Sequence, residues 1–229
     1  MDYDLDAIVM PYVTSYIREK TVTESPLLSQ LEQFAKENKV PIAEPETARL
    51  LSVITKLIRP KKVLEVGCAI GYSSVIMSEG LAEGGTITTL EYDADSVKIA
   101  RENISRAGLS DKISVIEADA KDYLSYLDGD ESFDLIFLDG PKAHYLFMLD
   151  DAVRLLRKGG LLISDNILFK GMTADDNHFA RRKVTIINRL REYIDALMAH
   201  PQLETSILSQ GDGITLSVKT VSDHERFGN

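Results

Sequence analysis

Apolar side chains recur at two different spacings along the chain, and the change falls near residue 60. Before it the spacing is helical. Leu5, Ile8, Val9 and Tyr12 lie three or four positions apart. Leu27, Leu28, Leu31, Phe34 and Ala35 make a second stripe, opened by Ser25-Pro26, an N-cap residue followed by proline at the first helical position. Pro41 and Pro45 bracket a connector, and Leu50, Leu51, Ile54, Leu57 and Ile58 mark a third helix. From Lys61 onward, short apolar runs alternate with amphipathic segments. Val63 to Val66, Thr86 to Glu91, Ile113 to Glu117, Leu135 to Leu138 and Leu161 to Ser164 predict five strands. Helices are predicted over Tyr72 to Leu81, over Ala94 to Ala107 and in the later gaps.

Apolar strands separated by helices imply an α/β fold, with a parallel sheet covered on both faces. The end of the chain differs. A long helix over about Phe179 to Met198 precedes two strands, Glu204 to Leu208 and Ile214 to Lys219, joined through Gly211-Asp212-Gly213. Two successive strands with a short connection predict an antiparallel hairpin at one sheet edge. The expectation is a single domain over residues 1–229. Residues 1–60 form an N-terminal helical cap and residues 61–220 a Rossmann-like core with a seven-stranded, mostly parallel sheet.

Composition narrows the function classes. At 229 residues the chain is long enough to bury a core without staples. A net charge of −10 argues against a basic footprint over the whole surface, although local patches can still bind phosphates. The single cysteine, Cys68, excludes an internal disulfide and fits a reducing compartment. The opening MDYDLDAIVM has no positively charged leader, and no apolar run reaches the ~18 residues of a membrane span, so a cytoplasmic protein is expected.

The segment VLEVGCAIGYSS, Val63 to Ser74, reads as strand, glycine turn and helix start. Gly67 and Gly71 let backbone approach a ligand. Their G-x-x-x-G spacing differs from the G-x-G-x-x-G of dinucleotide enzymes and favours S-adenosylmethionine over NAD. Glu65 stands just before the turn, where a carboxylate can hold an amino group, and Ser73 stands where a hydroxyl can meet a carboxylate. Twenty residues after Gly71, Glu91 ends the second strand, placed to accept from ribose hydroxyls. Asp119-Ala120 follows the third strand, where an acid can pair with an adenine amino group. Cys68 has no base beside it in sequence and is read as a small loop residue.

Two later strands also end in acids. FDLIFLD places Asp139, and LLISDN places Asp165 with Asn166. If the strands are neighbours, two carboxylates and an amide converge, a set of hard oxygen donors suited to Mg²⁺, Mn²⁺ or Ca²⁺. Asp and Asn are also common loop starters, so spacing alone leaves that alternative open. Lys142 follows Asp139 by three residues and is either a general base or a solvated lysine. The four histidines, His144, His178, His200 and His224, have no partner at ligand spacing, although His178 falls in the region expected to line the substrate site.

In order, VLEVGCAIGYSS, Glu91, Asp119-Ala120, FLDGPK, SDN and the terminal GDG resemble the metal-dependent O-methyltransferase family that includes catechol and caffeoyl-CoA O-methyltransferases. The resemblance runs from about Pro41 to Lys219. VPIAEPE, SDNILFKGM and HPQLETSILSQGDGITLS are most similar to its bacterial tRNA 5-hydroxyuridine methyltransferase branch. The resemblance implies a class I methyltransferase fold. It implies S-adenosylmethionine on Ile42, Glu65, Gly67, Gly71, Ser73, Glu91, Asp119, Ala120 and Asp139, and Mg²⁺ or another divalent cation on Asp139, Asp165 and Asn166. It makes Lys142 and Asp139 the catalytic residues. It further implies 5-hydroxyuridine in the tRNA anticodon region as acceptor, with a small catechol-like or caffeoyl-CoA-like phenol as the alternative, and a homodimer joined through the N-terminal helices. Two features depart from the family pattern. Asp139-Gly140-Pro141-Lys142 replaces the commoner Asp-Ala-x-Lys, and the chain has no tryptophan to wall a catechol ring. Between Lys170 and Arg191, six basic side chains face two acidic ones, a local charge of +4 that is either a phosphate-binding patch or a solvated helix face.

Overall fold

A computed structural model describes residues 8–21, 25–176 and 181–220. Leu5 in the first predicted helix, the predicted helix start at Phe179, and His178 and His224 lie outside the described residues. The strands run in the order β3-β2-β1-β4-β5-β7-β6, and the chain divides into two compact units at Ala120/Lys121.

The first unit holds three N-terminal helices, α1 (Pro11–Lys20), α2 (Pro26–Asn38) and α3 (Pro45–Ile58). All three have proline in the first turn, where its missing N–H leaves no bond unmade. Ile8 and Val9, predicted inside the first helix, precede it instead. A proline ring clashes with the carbonyl four residues back, so the helix begins at Pro11. Ser25 Oγ accepts the Leu28 N–H, as expected of an N-cap. No residue of α1 is buried. Its Arg18 holds it to α3 through Glu46, at 2.9 Å, and bonds Glu44 at the α3 N-cap.

Beyond α3 come β1 (Lys62–Val66), α4 (Tyr72–Ser78), β2 (Thr86–Glu91), α5 (Ala94–Arg106) and β3 (Ile113–Glu117). The three strands pair in parallel, with Val63 opposite Ile87 and Ile87 opposite Ile113. Val63, Leu64, Val66, Ile87 and Leu90 are almost free of solvent, and each stabilises the fold by about 1.5–3 kcal/mol. α4 ends at Ser78 rather than at Leu81. Gly80 passes so close to the Thr55 backbone of α3 that a Cβ there would overlap it.

The second unit contains most of α6 (Ala120–Tyr126), then β4 (Phe133–Leu138), α7 (Tyr145–Leu155), β5 (Leu156–Ser164), α8 (Val184–Ala199), β6 (Leu203–Leu208) and β7 (Ile214–Lys219). β4 and β5 are parallel, whereas β5–β7 and β6–β7 are antiparallel, which is the predicted terminal hairpin with β6 outermost. β5 begins five residues before the predicted Leu161, because a bulge opposite β4 absorbs Arg157 to Gly160. Gly160 is required there, since a Cβ would stand 2.8 Å from the Arg157 carbonyl oxygen. Lys219 at the end of β7 is buried and donates to the carbonyls of Val153 and Leu156 at 2.9 and 2.8 Å, which fastens the strand to the end of α7. Among the described residues, no helix is long and apolar enough to cross a membrane.

Candidate active site

Parallel α/β sheets bind ligands beyond the carboxyl ends of their strands, and the predicted residues lie at such ends in both units. In the first unit, Gly67 follows β1 at φ 87° and donates its N–H to the Leu90 carbonyl. Gly71 caps α4 at φ 84°, a conformation that a side chain would strain. Glu65 is fully buried. Its two oxygens accept the Ser73 and Ser74 hydroxyls of α4, so it joins the strand to the helix across the turn. Glu91 is buried at the end of β2 and accepts three backbone N–H groups, from Ala69 at 3.0 Å, Tyr92 at 3.0 Å and Asp93 at 3.1 Å. This fixes the glycine turn against the next strand. Asp119 is exposed just past β3, where the Ala118 N–H bonds the Glu91 carbonyl, and Ala120 is buried. Ile42 is half-buried in the connector between α2 and α3. Cys68 is buried, and burial followed by the charge of Glu65 pushes its thiol upward, against any role as a nucleophile.

In the second unit, Leu138 and Ser164 are opposed in register, so Asp139 and Asp165 each stand one residue beyond a paired position. The Asp165 N–H bonds the Leu138 carbonyl at 2.9 Å. Asp165 is 1 % exposed. Burial first, then the charge of Asp139, push its carboxyl up to about 8, opposed by the Asn166 backbone N–H at 2.7 Å and by Lys142. Lys142 Nζ lies 3.4 Å from Asp139 Oδ1 on a 3₁₀ turn, Lys142–His144. Asn166 adopts φ 58°, which asparagine tolerates better than most residues. The structure therefore brings Asp139, Lys142, Asp165 and Asn166 to the ends of two neighbouring strands. A buried carboxylate, Asp165, beside a half-buried one, Asp139, with an adjacent amide fits a hard divalent cation. Among the described residues no group of three His, Cys, Asp or Glu could hold a metal, so the amide of Asn166 has to complete any such set.

Two residues of this site escaped the sequence. Asp212, in the turn before β7, accepts the Lys170 N–H, and burial pushes its carboxyl upward. The Gly213 carbonyl accepts from Ile167 and the Asp212 carbonyl from Leu168, both at 3.0 Å. The GDG signal was visible, but its packing on the SDN loop was not. Tyr145 is fully buried, and its hydroxyl donates to the carbonyls of Leu138 at 3.1 Å and Asp165 at 3.2 Å. No sequence signal marked it.

The basic segment is only partly available to a ligand. Arg189 donates to the Ala143 carbonyl and stacks on Phe147, and Arg191 bonds the Thr173 carbonyl and Asp176. Lys170 and Arg182 are exposed, and Lys183 lies over the Phe169 ring.

Known proteins share both the sequence and this layout. A family model described as O-methyltransferase matches residues 18–220. A caffeoyl-CoA O-methyltransferase of Populus kitakamiensis is 31% identical over 182 residues, 77% of this chain and 76% of that protein. A catechol O-methyltransferase of Niastella koreensis is 30% identical over 181 residues, 76% of this chain and 80% of that protein. An O-methyltransferase from Bacillus cereus, solved in complex with SAH, superposes with a TM-score of 0.81 at 27% identity, covering 91% of this chain and 97% of that one. With its sheet order, glycine turn and paired strand-end acids, the chain belongs to the O-methyltransferase family.

Proposed function

We propose that this enzyme transfers the methyl group of S-adenosylmethionine to an acceptor hydroxyl, beside a divalent cation such as Mg²⁺ held by Asp139, Asp165 and Asn166. The observation that carries the reading is the pairing of Asp139 and Asp165 at adjacent strand ends, with Lys142 on the first of them. In this reading the glycine turn, Glu65, Ser73, Glu91, Asp119, Ala120 and Asp139, with Ile42 on its connector, supply the donor's contacts. A bound cation would lower the pKa of the acceptor hydroxyl and neutralise the two carboxylates. Lys142 either takes up the hydroxyl proton at Nζ in its neutral form or, as the ammonium that pairs with Asp139, stabilises the oxyanion. The oxygen attacks the sulfonium methyl, the O–C bond forms as the C–S bond breaks, and S-adenosylhomocysteine leaves. Positioning dominates, because the donor is already activated.

For the acceptor we favour 5-hydroxyuridine of tRNA, whose O5 and C4 carbonyl offer the same two-oxygen chelate as a catechol. Exposed Lys170 and Arg182, on the segments after Asn166 and before α8, support it as phosphate contacts. A second reading, a small catechol-like or caffeoyl-CoA-like phenol, draws on the names of the relatives and on the internal commitments of Arg189 and Arg191. The enzyme is read as cytoplasmic and homodimeric. Exposed Tyr12, Tyr16, Val53 and Leu57 on α1 and α3 are apolar surface for a second copy. Methyl transfer from labelled S-adenosylmethionine, with Mg²⁺ and with excess chelator, tests the proposal. Chelator-sensitive labelling of tRNA bearing 5-hydroxyuridine, and not of phenols, is expected. Labelling of catechol or a caffeoyl thioester alone moves the acceptor to the second reading, and labelling indifferent to chelator removes the cation.

A further inference from the structure

Asp139 and Asp165 each follow the end of a separate strand, so their spacing depends on whatever ties the two strand ends together. Parallel pairing supplies one tie there, the Asp165 N–H to the Leu138 carbonyl. Beyond it the chains diverge, Asp139 into the Lys142–His144 turn and Asp165 into the SDN loop. The second tie comes from α7. Tyr145, its first residue, is 0% exposed and places its hydroxyl between the Leu138 carbonyl, at 3.1 Å, and the Asp165 carbonyl, at 3.2 Å. One carbonyl immediately precedes Asp139 and the other belongs to Asp165, so a single O–H spans the backbone of both acids. The ring is itself fixed, packed edge-on against Tyr193 at 5.3 Å, and the Tyr193 hydroxyl is 2.6 Å from Ser164 Oγ.

We infer that Tyr145 is a positioning residue for the cation site, its hydroxyl clamping the Leu138 and Asp165 carbonyls and so setting the separation of the Asp139 and Asp165 carboxylates. The inference rests on the cation reading above. Groups behind the direct ligands of a metal typically change its affinity 10–100-fold when removed. Tyr145 acts through the backbone and touches no reacting atom.

The test is Mn²⁺ binding to the full-length protein without substrate, followed by electron paramagnetic resonance. Wild type is compared with Tyr145→Phe, Tyr193→Phe and Ser164→Ala. The last two lose a buried hydroxyl from the same cluster but leave both carbonyl bonds intact, so they report any general loosening of the core. S-adenosylhomocysteine affinity and thermal midpoint are measured alongside. The expected result is Mn²⁺ binding weakened about tenfold in Y145F, near wild-type in Y193F and S164A, with donor affinity unchanged throughout. Unchanged Mn²⁺ affinity in Y145F overturns the inference and leaves the cation reading standing. Equal weakening in Y193F or S164A also overturns it, because the effect would then be core packing. Wild-type protein that binds no Mn²⁺ overturns both.

Discussion

Asp165 is held almost wholly out of water with a second carboxylate for a neighbour, an arrangement that costs free energy unless a proton or a cation offsets it. Glu65 and Glu91 are also buried, but hydroxyls and backbone amides satisfy them. That contrast agrees with the proposed division between a cation site and a donor scaffold, although Asp165 too accepts one backbone N–H, from Asn166. Asp139→Ala is expected to lower kcat/KM at least about a hundredfold, as loss of a direct ligand should exceed loss of a group behind it. Most donor affinity should remain, since Glu65, Glu91 and the glycine turn are untouched and Asp139 is only one of the residues expected to contact the donor. Initial methyl-transfer rates and calorimetric titration with S-adenosylhomocysteine measure the two, and normal turnover would remove Asp139 from the chemistry. At this scale the sequence was informative. Acids following apolar strands were legible as candidates, and all four of Asp139, Lys142, Asp165 and Asn166 came together. Tyr145 was illegible, because nothing local distinguishes a buried tyrosine that packs from one that bridges two strands.

Between elements, antiparallel pairing of β5 with β7 carries the GDG turn onto the SDN loop. Ile167 and Leu168 bond the turn, Asp212 receives the Lys170 N–H, and Gly213 lies against the Leu168 side chain. Gly213 has φ +87°, and a Cβ there would overlap Leu168. Gly213→Ala should therefore destabilise the protein by about 2 kcal/mol, from backbone strain and overpacking together. It should also weaken Mn²⁺ binding, because the loop bearing Asn166 shifts. A denaturant midpoint and a metal titration check this, and a variant with wild-type values in both would show that the contact does not support the loop. The bulge over Arg157 to Gly160 shows why element bounds drifted. Two polar residues and two glycines read as a loop, whereas they form a bulge between Leu156 and Leu161, which both pair with β4.

For the molecule as a whole, pH dependence combines groups from distant elements. His200 caps α8, and burial first, then Lys219, hold its pKa below the ordinary 6.5, opposed by Asp150. Its folded value is depressed, so below pH 6.5 the unfolded chain takes the proton first and stability is lost as pH falls. Asp165 and Asp212 act in the opposite sense. Their folded pKa values are raised, so the folded state keeps protons that the unfolded chain has released, and stability grows as pH falls toward the ordinary carboxylate range. His200→Gln removes only the first contribution. Its thermal midpoint should fall less than that of wild type, or rise more, between pH 7 and pH 5. Superimposable profiles would show that His200 does not titrate differently on folding.

The sequence by itself determined the strand and helix alternation, the terminal hairpin, the glycine turn and the acids that close four strands. These are local matters of hydrophobic period, proline and glycine punctuation, and polar residues where a strand leaves the core. The tertiary structure decided which strand ends are neighbours. It decided that Glu65 faces two serines while Asp165 faces another carboxylate, and that Arg189 and Arg191 are bound within the protein. It also placed Tyr145 behind the acids and Asp212 against the SDN loop. Each of these depends on contacts between residues far apart in the chain, and a residue's charge or hydroxyl acquires its role from the dielectric and partners that such contacts create.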